Sequence, residues 1–377
     1  MSFPFESLRR RPDLEAPGLL ASDAADRLLL DESAAARSGL ALRDLVVIGD
    51  AYGALTLAAI DETSESTSDD HLRVHQDALT GERALAANAR DLGVPARFTS
   101  LPLTADLVRD ARIVLLRLPR SLAALRDIAG LIAAHADPGV AVFSGGRLKY
   151  MTPAMNDVLR ESFATVDVTH ARQKSRVLIA RGPTAGRDPQ PAVAVADGMT
   201  ICAFGGAFAG ERIDIGTRLL LDHLPERLPG GTADDPWVDL ACGTGVIATR
   251  LALRHPDAHV YASDQSAAAV ASARATVAAN DLADRVSVAR DDALQQRPDR
   301  SASLIALNPP FHSGAAVTDR IAPRLFADAA RVLKSGGELW CVWNSPLGYR
   351  TVLERMVGPT RQVARNAKFT VTVSTRR

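Results

Sequence analysis

Three acidic and two glycine positions in the second half of the chain are spaced as a nucleotide site would need. Asp239 closes the apolar run PWVDL, and Gly243 and Gly245 follow in ACGTG. Asp264 comes nineteen residues after Gly245, at the end of HVYASD, and Asp292 closes VSVARDD. Glycines between a strand and a helix let the backbone turn tightly and let a ligand come close. A carboxylate at the next strand end can accept both hydroxyl protons of a ribose, and one at the third strand end is placed to accept from an adenine amino group. ACGTGVI lacks the third glycine of the dinucleotide fingerprint. A fourth apolar segment, SASLIAL, stops abruptly at Asn308, Pro309, Pro310 and Phe311. Two consecutive prolines donate no backbone hydrogen bond, so they end a strand and leave carbonyls aimed by a fixed φ.

Such residues need rigid strand ends to stand on. Both halves of the chain alternate short β-branched runs with alanine-rich stretches of helical period, the pattern of an α/β fold with a mostly parallel sheet and helices on both faces. The two halves also match each other. DLVVIGDAYGALTLAAI and PWVDLACGTGVIATRLA share one outline, which pairs Gly53 with Gly245. Asn88 and Asn280 each lie 35 residues further on, and Pro119 and Pro309 lie 66 and 64 residues further on. Ordered anchors at nearly equal spacing indicate tandem copies of one domain. Matched by these spacings, the first copy has Val47 at the place of Asp239, Leu72 at that of Asp264, and Leu118-Pro119 at that of Asn308-Pro309. The first copy is therefore expected to keep the scaffold without the site. The Gly- and Pro-rich stretch 181–191 reads as the linker, giving domains 1–185 and 186–377. Helices are expected at about 267–280 and 323–333, and an antiparallel hairpin at the sheet edge near the end of the chain.

Composition narrows the classes. The chain has 377 residues, 47% hydrophobic and 23% charged, enough for two ordinary globular domains. Its formal net charge is zero, which argues against gripping nucleic acid by bulk electrostatics but leaves room for a local basic face. Cys202, Cys242 and Cys341 have no paired spacing, so neither a disulfide framework nor a metal site is expected. No apolar run reaches the ~20 residues of a membrane span and no leader pattern opens the chain, so a cytoplasmic protein without a membrane partner is expected. His312 reads as a locally bonded residue rather than a catalyst. Seven basic residues, Arg350, Arg355, Arg361, Arg365, Lys368, Arg376 and Arg377, stand against Glu354 near the end, and Arg172, Lys174 and Arg176 occupy the matching place in the first copy. Either set is a solvated face or a phosphate contact.

The CGTG turn after an acidic strand end resembles the loop that seats S-adenosylmethionine in class I methyltransferases. NPPF resembles the segment of those methyltransferases that modify a planar NH2 group. An amine of that kind is a poor nucleophile because its lone pair is delocalised. If the Asn308 side-chain oxygen and the Pro309 carbonyl each accept one N–H, the lone pair turns towards the methyl group, and Phe311 can stack on a flipped base. Over nearly its whole length the chain is similar to the bacterial ribosomal RNA guanine-N2 methyltransferases. The carriers are DAADRLLL, LPRSLAAL, FAGERIDIGTRLLLDHL, VDLACGTGVI, NPPFH, VTDRIAPRLFADAARVLKSGGELW and NAKF. The resemblance implies S-adenosylmethionine as cofactor, ribosomal RNA as partner, naked or within a subunit or its precursor, and a first copy that orients RNA. It also implies that Phe208 and the run Asp214 to Thr217, Gly216 included, flank the methionine end of the cofactor. SPLGY and NAKF favour the large-subunit branch over the small. Ala241 departs from the family, which has a glycine there. A protein glutamine amide or adenine N6 remains the alternative acceptor, and a non-catalytic assembly factor the alternative role.

Overall fold

The computed structural model describes residues 3–63, 70–310 and 315–377. They form two compact units, Met1–Gln190 and Pro191–Arg377. In the first unit the order is α1 (Ala24–Arg37), β1 (Leu45–Ile48), α2 (Ala54–Glu62), β2 (Leu72–His75), α3 (Leu79–Leu92), β3 (Phe98–Ser100) and α4 (Ala105–Val108). It continues through β4 (Ile113–Arg117), α5 (Leu122–His135), β5 (Ala141–Arg147), α6 (Ala154–Arg160), β6 (Phe163–Val168) and β7 (Ser175–Pro183). The second unit opens with a small hairpin, β8 (Ala192–Ala196) and β9 (Met199–Ala203), and α7 (Ile215–His223). Then come β10 (Trp237–Leu240), α8 (Val246–Arg254), β11 (Val260–Asp264), α9 (Ala267–Ala279), β12 (Val286–Arg290) and β13 (Ala302–Leu307). The last elements are α10 (Ala315–Val332), β14 (Leu333–Asn344), α11 (Arg350–Met356), β15 (Thr360–Arg365) and β16 (Phe369–Thr375).

The sheets have the same order of roles, β3-β2-β1-β4-β5-β7-β6 and β12-β11-β10-β13-β14-β16-β15. All neighbours are parallel except those of β7 and β16. Strands such as β1 and β10 are buried along their whole length, because helices cover both faces. In the second sheet Trp237 packs into one core and Val238 and Leu240 into the other, so alternation along β10 turns Asp239 towards the α8 side. The sheet order reverses between β10 and β13, which opens a crevice at their carboxyl ends. Gly53 and Gly245, both left-handed, cap α2 and α8.

Hydrogen-bond register corrects three matches made by spacing alone. Val47 pairs with Val74 and Leu115 as Asp239 pairs with Ala262 and Ala306. Counting onward, Gln76 rather than Leu72 stands at the place of Asp264, and Arg117 rather than Leu118 at that of Asn308. Gly53 to Gln76 spans 23 residues and Gly245 to Asp264 only 19, so the connection differs in length and the spacing slipped. Asn88 in turn corresponds to Thr276, each twelve residues past that strand end, and not to Asn280. Asn88 bonds both the N–H and the C=O of Arg9, and Thr276 both those of Cys202, so each pins a segment alongside its helix. The stretch expected to be a linker is docked: β7 runs to Pro183, the Arg187 N–H bonds Gly130, and Asp188 lies 2.6 Å from His135. Pro323 lies inside α10 rather than at its start.

Arg117 is an ion-pair hub. Its guanidinium lies 3.1 Å from carboxylate oxygens of both Asp23, the N-cap of α1, and Asp26 one turn later. Burial pushes the Asp26 carboxyl up to about 6 against the pull of Arg117. Removing Arg117 leaves a buried carboxylate uncompensated, so Arg117→Leu should lower stability by about 3 kcal/mol in urea denaturation. An unchanged midpoint would show that the pair is not stabilising. The folded chain keeps a proton on Asp26 that the unfolded chain loses near pH ~4. Stability is therefore lost as pH rises from there to about 6, and this decline should be absent in Asp26→Asn when denaturation is followed over that range.

Candidate active site

The carboxyl ends of β10 and β13 and the start of α7 bring six of the fourteen sequence-predicted residues together around one cavity, lined among others by Phe208, Asp214, Thr217, Ala241, Gly243 and Asn308. Asp214 caps α7, accepting the N–H groups of Gly216 at 2.9 Å and Thr217 at 3.2 Å on one oxygen. That same oxygen lies 3.2 Å from the Asn308 amide nitrogen, and the Thr217 hydroxyl lies 2.9 Å from it. A carboxylate only accepts, so the NH2 end of Asn308 must face Asp214. The opposite end follows: Asn308 Oδ1 is buried with no hydrogen-bond partner among the described residues. Buried acceptors in folded proteins are nearly always paired, so this one is kept for something that arrives. Pro309 is buried and Pro310 exposed. Phe311 and His312 lie outside the described residues.

Gly216 has a steric reason. A Cβ there would lie 3.0 Å from the Asp214 carboxylate and 3.1 Å from the Phe369 ring, so a side chain would push against the group that holds Asn308. Phe369 belongs to NAKF, where the Asn366 side chain accepts the N–H groups of Lys368 and Phe369.

The turn after β10 alternates left-handed residues: Ala241 at φ 58°, Gly243 at 54° and Gly245 at 76°. Gly49, the first-unit counterpart of Ala241, is also left-handed at 79°. A glycine suits that position, and the alanine occupies it under strain. The Gly243 N–H donates to one Asp264 oxygen at 3.0 Å and the Ser266 N–H to the other at 2.9 Å, which fixes the carboxylate over the turn. A Cβ on Gly243 would meet nothing within 4 Å among the described residues, so its face of the turn is open.

Asp239 is fully buried, and one oxygen accepts the Ala248 N–H at 2.9 Å while the other has no hydrogen-bond partner among the described residues. Burial pushes its carboxyl up to about 7, and the charge of Asp264 adds to that. Cys242 beside it is held far from thiolate formation by burial and by the same two carboxylates. The strand end is corrected: β12 ends at Arg290, two residues before Asp292, and the buried Asp292 carboxylate accepts from Arg324 and Gln295. Arg324 sits in α10, 32 residues away in sequence, with no local signal to announce the pair. Of the basic residues, Arg350 is paired with Glu354, and Arg172 with Asp31 and Glu32.

Strand order, glycine turn and Asn-Pro-Pro segment together define a Rossmann-like methyltransferase carrying a second copy of its own fold. Residues 198–373 match the methyltransferase small domain family, and residues 2–184 the RLMG N-terminal domain. The chain is 35% identical to ribosomal RNA large subunit methyltransferase G of Streptomyces coelicolor, covering 97% of this chain and 96% of the relative. It is 35% identical to that of Pseudomonas aeruginosa, covering 98% and 97%. The chain belongs to the ribosomal RNA large subunit methyltransferase G family. Its fold is also that of the T. thermophilus 16S rRNA N2 methyltransferase RsmC, solved in complex with AdoMet and guanosine, with a TM-score of 0.74 at 21% identity over 97% of each chain.

Glycine at Ala241 would relieve the turn but add freedom to the unfolded chain, so Ala241→Gly should change stability by less than about 1 kcal/mol. Ala241→Val puts a β-branched side chain in the same region and should cost about 2 kcal/mol. Equal urea midpoints for all three proteins would show that the turn relaxes to negative φ.

Proposed function

We propose that the second unit transfers a methyl group from S-adenosylmethionine to the exocyclic N2 of a guanine in large-subunit ribosomal RNA. The observation that carries this reading is the Asn308 amide, clamped at its nitrogen by Asp214 and Thr217 and left with an unsatisfied buried oxygen. That oxygen accepts one N–H of the target amine and the Pro309 carbonyl accepts the other, which frees the nitrogen lone pair. Asp214 and Thr217 are thus positioning residues for Asn308.

The cavity suits the cofactor. An open glycine face at Gly243 and a fixed carboxylate at Asp264 fit a ribose-bearing ligand, and the unpartnered oxygen of the buried Asp239 offers a further acceptor on its inner side. Bound there, S-adenosylmethionine supplies a methyl group already activated by its sulfonium. No strong general base is then required, and the protein contributes position and desolvation. Asp292, engaged by Arg324, is not assigned to the adenine. Guanine N2 is favoured over a glutamine amide or adenine N6 because the relatives named for ribosomal RNA cover both units, including the first, which lacks this site. The first unit orients RNA and binds no cofactor: Arg117 and Gln76 stand where Asn308 and Asp264 do the work.

Asn308→Ala should reduce methyl transfer to ribosomal RNA roughly 10²-fold while calorimetry shows cofactor affinity retained. Thr217→Val, which removes one amide anchor, should lower kcat with little change in cofactor KM, and Thr217→Ser should restore it. A loss confined to cofactor KM would assign Thr217 to cofactor binding instead. Asp264→Ala should weaken cofactor binding by about 1–3 kcal/mol, the scale of a hydrogen bond to a charged group. Ribosomal RNA with inosine at the target lacks N2 and should accept no methyl group; persistent transfer to that nucleotide would overturn the choice of amine.

A further inference from the structure

The first unit carries an unexplained cluster at the carboxyl end of its own sheet. The chain leaving β4 presents Arg120, and the single turn after β5 presents Leu148, Lys149 and Tyr150. The Arg120 guanidinium lies 4.4 Å and the Lys149 ammonium 4.6 Å from the centre of the Tyr150 ring. Tyr150 is nonetheless 45% exposed, and Leu148 beside it 38%. Arg147 precedes them, and Lys174 reaches the same place, its carbonyl accepting the Leu148 N–H at 2.9 Å. Among the described residues none of Arg120, Arg147, Lys149 and Lys174 forms an ion pair, whereas the exposed Arg109, Arg160, Arg172 and Arg181 of this unit each do. Asp23, the carboxylate whose field Arg147 feels, is already paired with Arg117.

An exposed aromatic ring with two cations against it and two more beside it matches an anion that also carries flat rings. We propose that this tip binds a single-stranded stretch of the RNA substrate, an unpaired base stacking on Tyr150 or on the outer face of Arg120 and adjacent phosphates lying on Lys149, Arg147 and Lys174. The assignment rests on the ribosomal RNA reading of the second unit. It differs from the expectation that Arg172 contacts phosphate, since Arg172 is paired with Asp31 and Glu32.

The test is fluorescence anisotropy of the full chain with a single-stranded oligoribonucleotide of about ten nucleotides at several salt concentrations. Tyr150→Ala should weaken binding about fivefold or more and Tyr150→Phe should not, because the ring and not the hydroxyl is used. The double variant Arg120→Ala, Lys149→Ala should weaken binding and flatten the salt dependence by about 1 in log-log slope. Cofactor affinity, measured by calorimetry, should be unchanged in all three. Unchanged oligonucleotide affinity in Tyr150→Ala overturns the inference, as does an equal loss in Tyr150→Phe. So does displacement of the RNA by polyglutamate with the ring variants without effect, which would mark a docking site for an acidic protein. Wild-type chain that binds the oligonucleotide through Tyr150 but transfers no methyl group to ribosomal RNA would fail the reading of the second unit alone.

Discussion

The chemistry of the second unit depends on which way one amide faces. An asparagine can present a donor or an acceptor to its substrate, and the two ends have the same shape. Asp214 removes the choice: a carboxylate cannot donate, so the Asn308 nitrogen turns to it and the oxygen turns away. The same carboxylate oxygen terminates α7 by accepting two backbone N–H groups, so the helix end and the amide orientation are settled by one atom. Gly216 leaves room there, since a Cβ would press within 3.0 Å of that atom and 3.1 Å of Phe369. Local helix capping, sheet packing and the amide proposed for catalysis thus share one small region.

The first unit shows what the same framework becomes without that chemistry. Arg117 occupies the Asn308 position and reaches Asp23 and Asp26, which stand on α1 with the same three-residue spacing that separates Asp214 and Thr217 on α7. A neutral amide with an unused acceptor has become a closed set of ion pairs with no acceptor held open. The carboxylate that anchors the first helix has moved as well. Asp50 accepts the Gly53 and Thr56 N–H groups, so Thr56 donates to Asp50 in the first unit as Ala248 donates to Asp239 in the second. Both Asp50 oxygens are used, while one oxygen of Asp239 is not. At these two places, Asp50 and the Arg117 cluster, the first unit satisfies its polar groups internally.

Strain follows the same division. The left-handed position after the first strand is glycine in the first unit, at Gly49, and alanine in the second, at Ala241. A strained residue beside a site is tolerable where the surrounding turn is over-determined, and here the Asp264 bonds to Gly243 and Ser266 hold the turn from the next strand.

By itself the sequence determined the α/β class, the duplication and the positions at the strand ends, because apolar periodicity, turn glycines and a proline stop are local consequences of backbone chemistry. Asp239, Gly243, Gly245, Asp264 and Asn308 could all be picked out that way. Only the tertiary structure decided which residues of the two copies correspond. Spacing counts every residue of a connection equally, whereas sheet register is set by hydrogen bonds between strands; a longer connection before β2 was enough to move the equivalence from Leu72 to Gln76. Only the structure, too, decided that Asp292 faces Arg324 and that Asn308 turns its oxygen outward. Each depends on a partner brought from another element, 32 residues away for Arg324 and 94 for Asp214, and no local pattern encodes such a meeting.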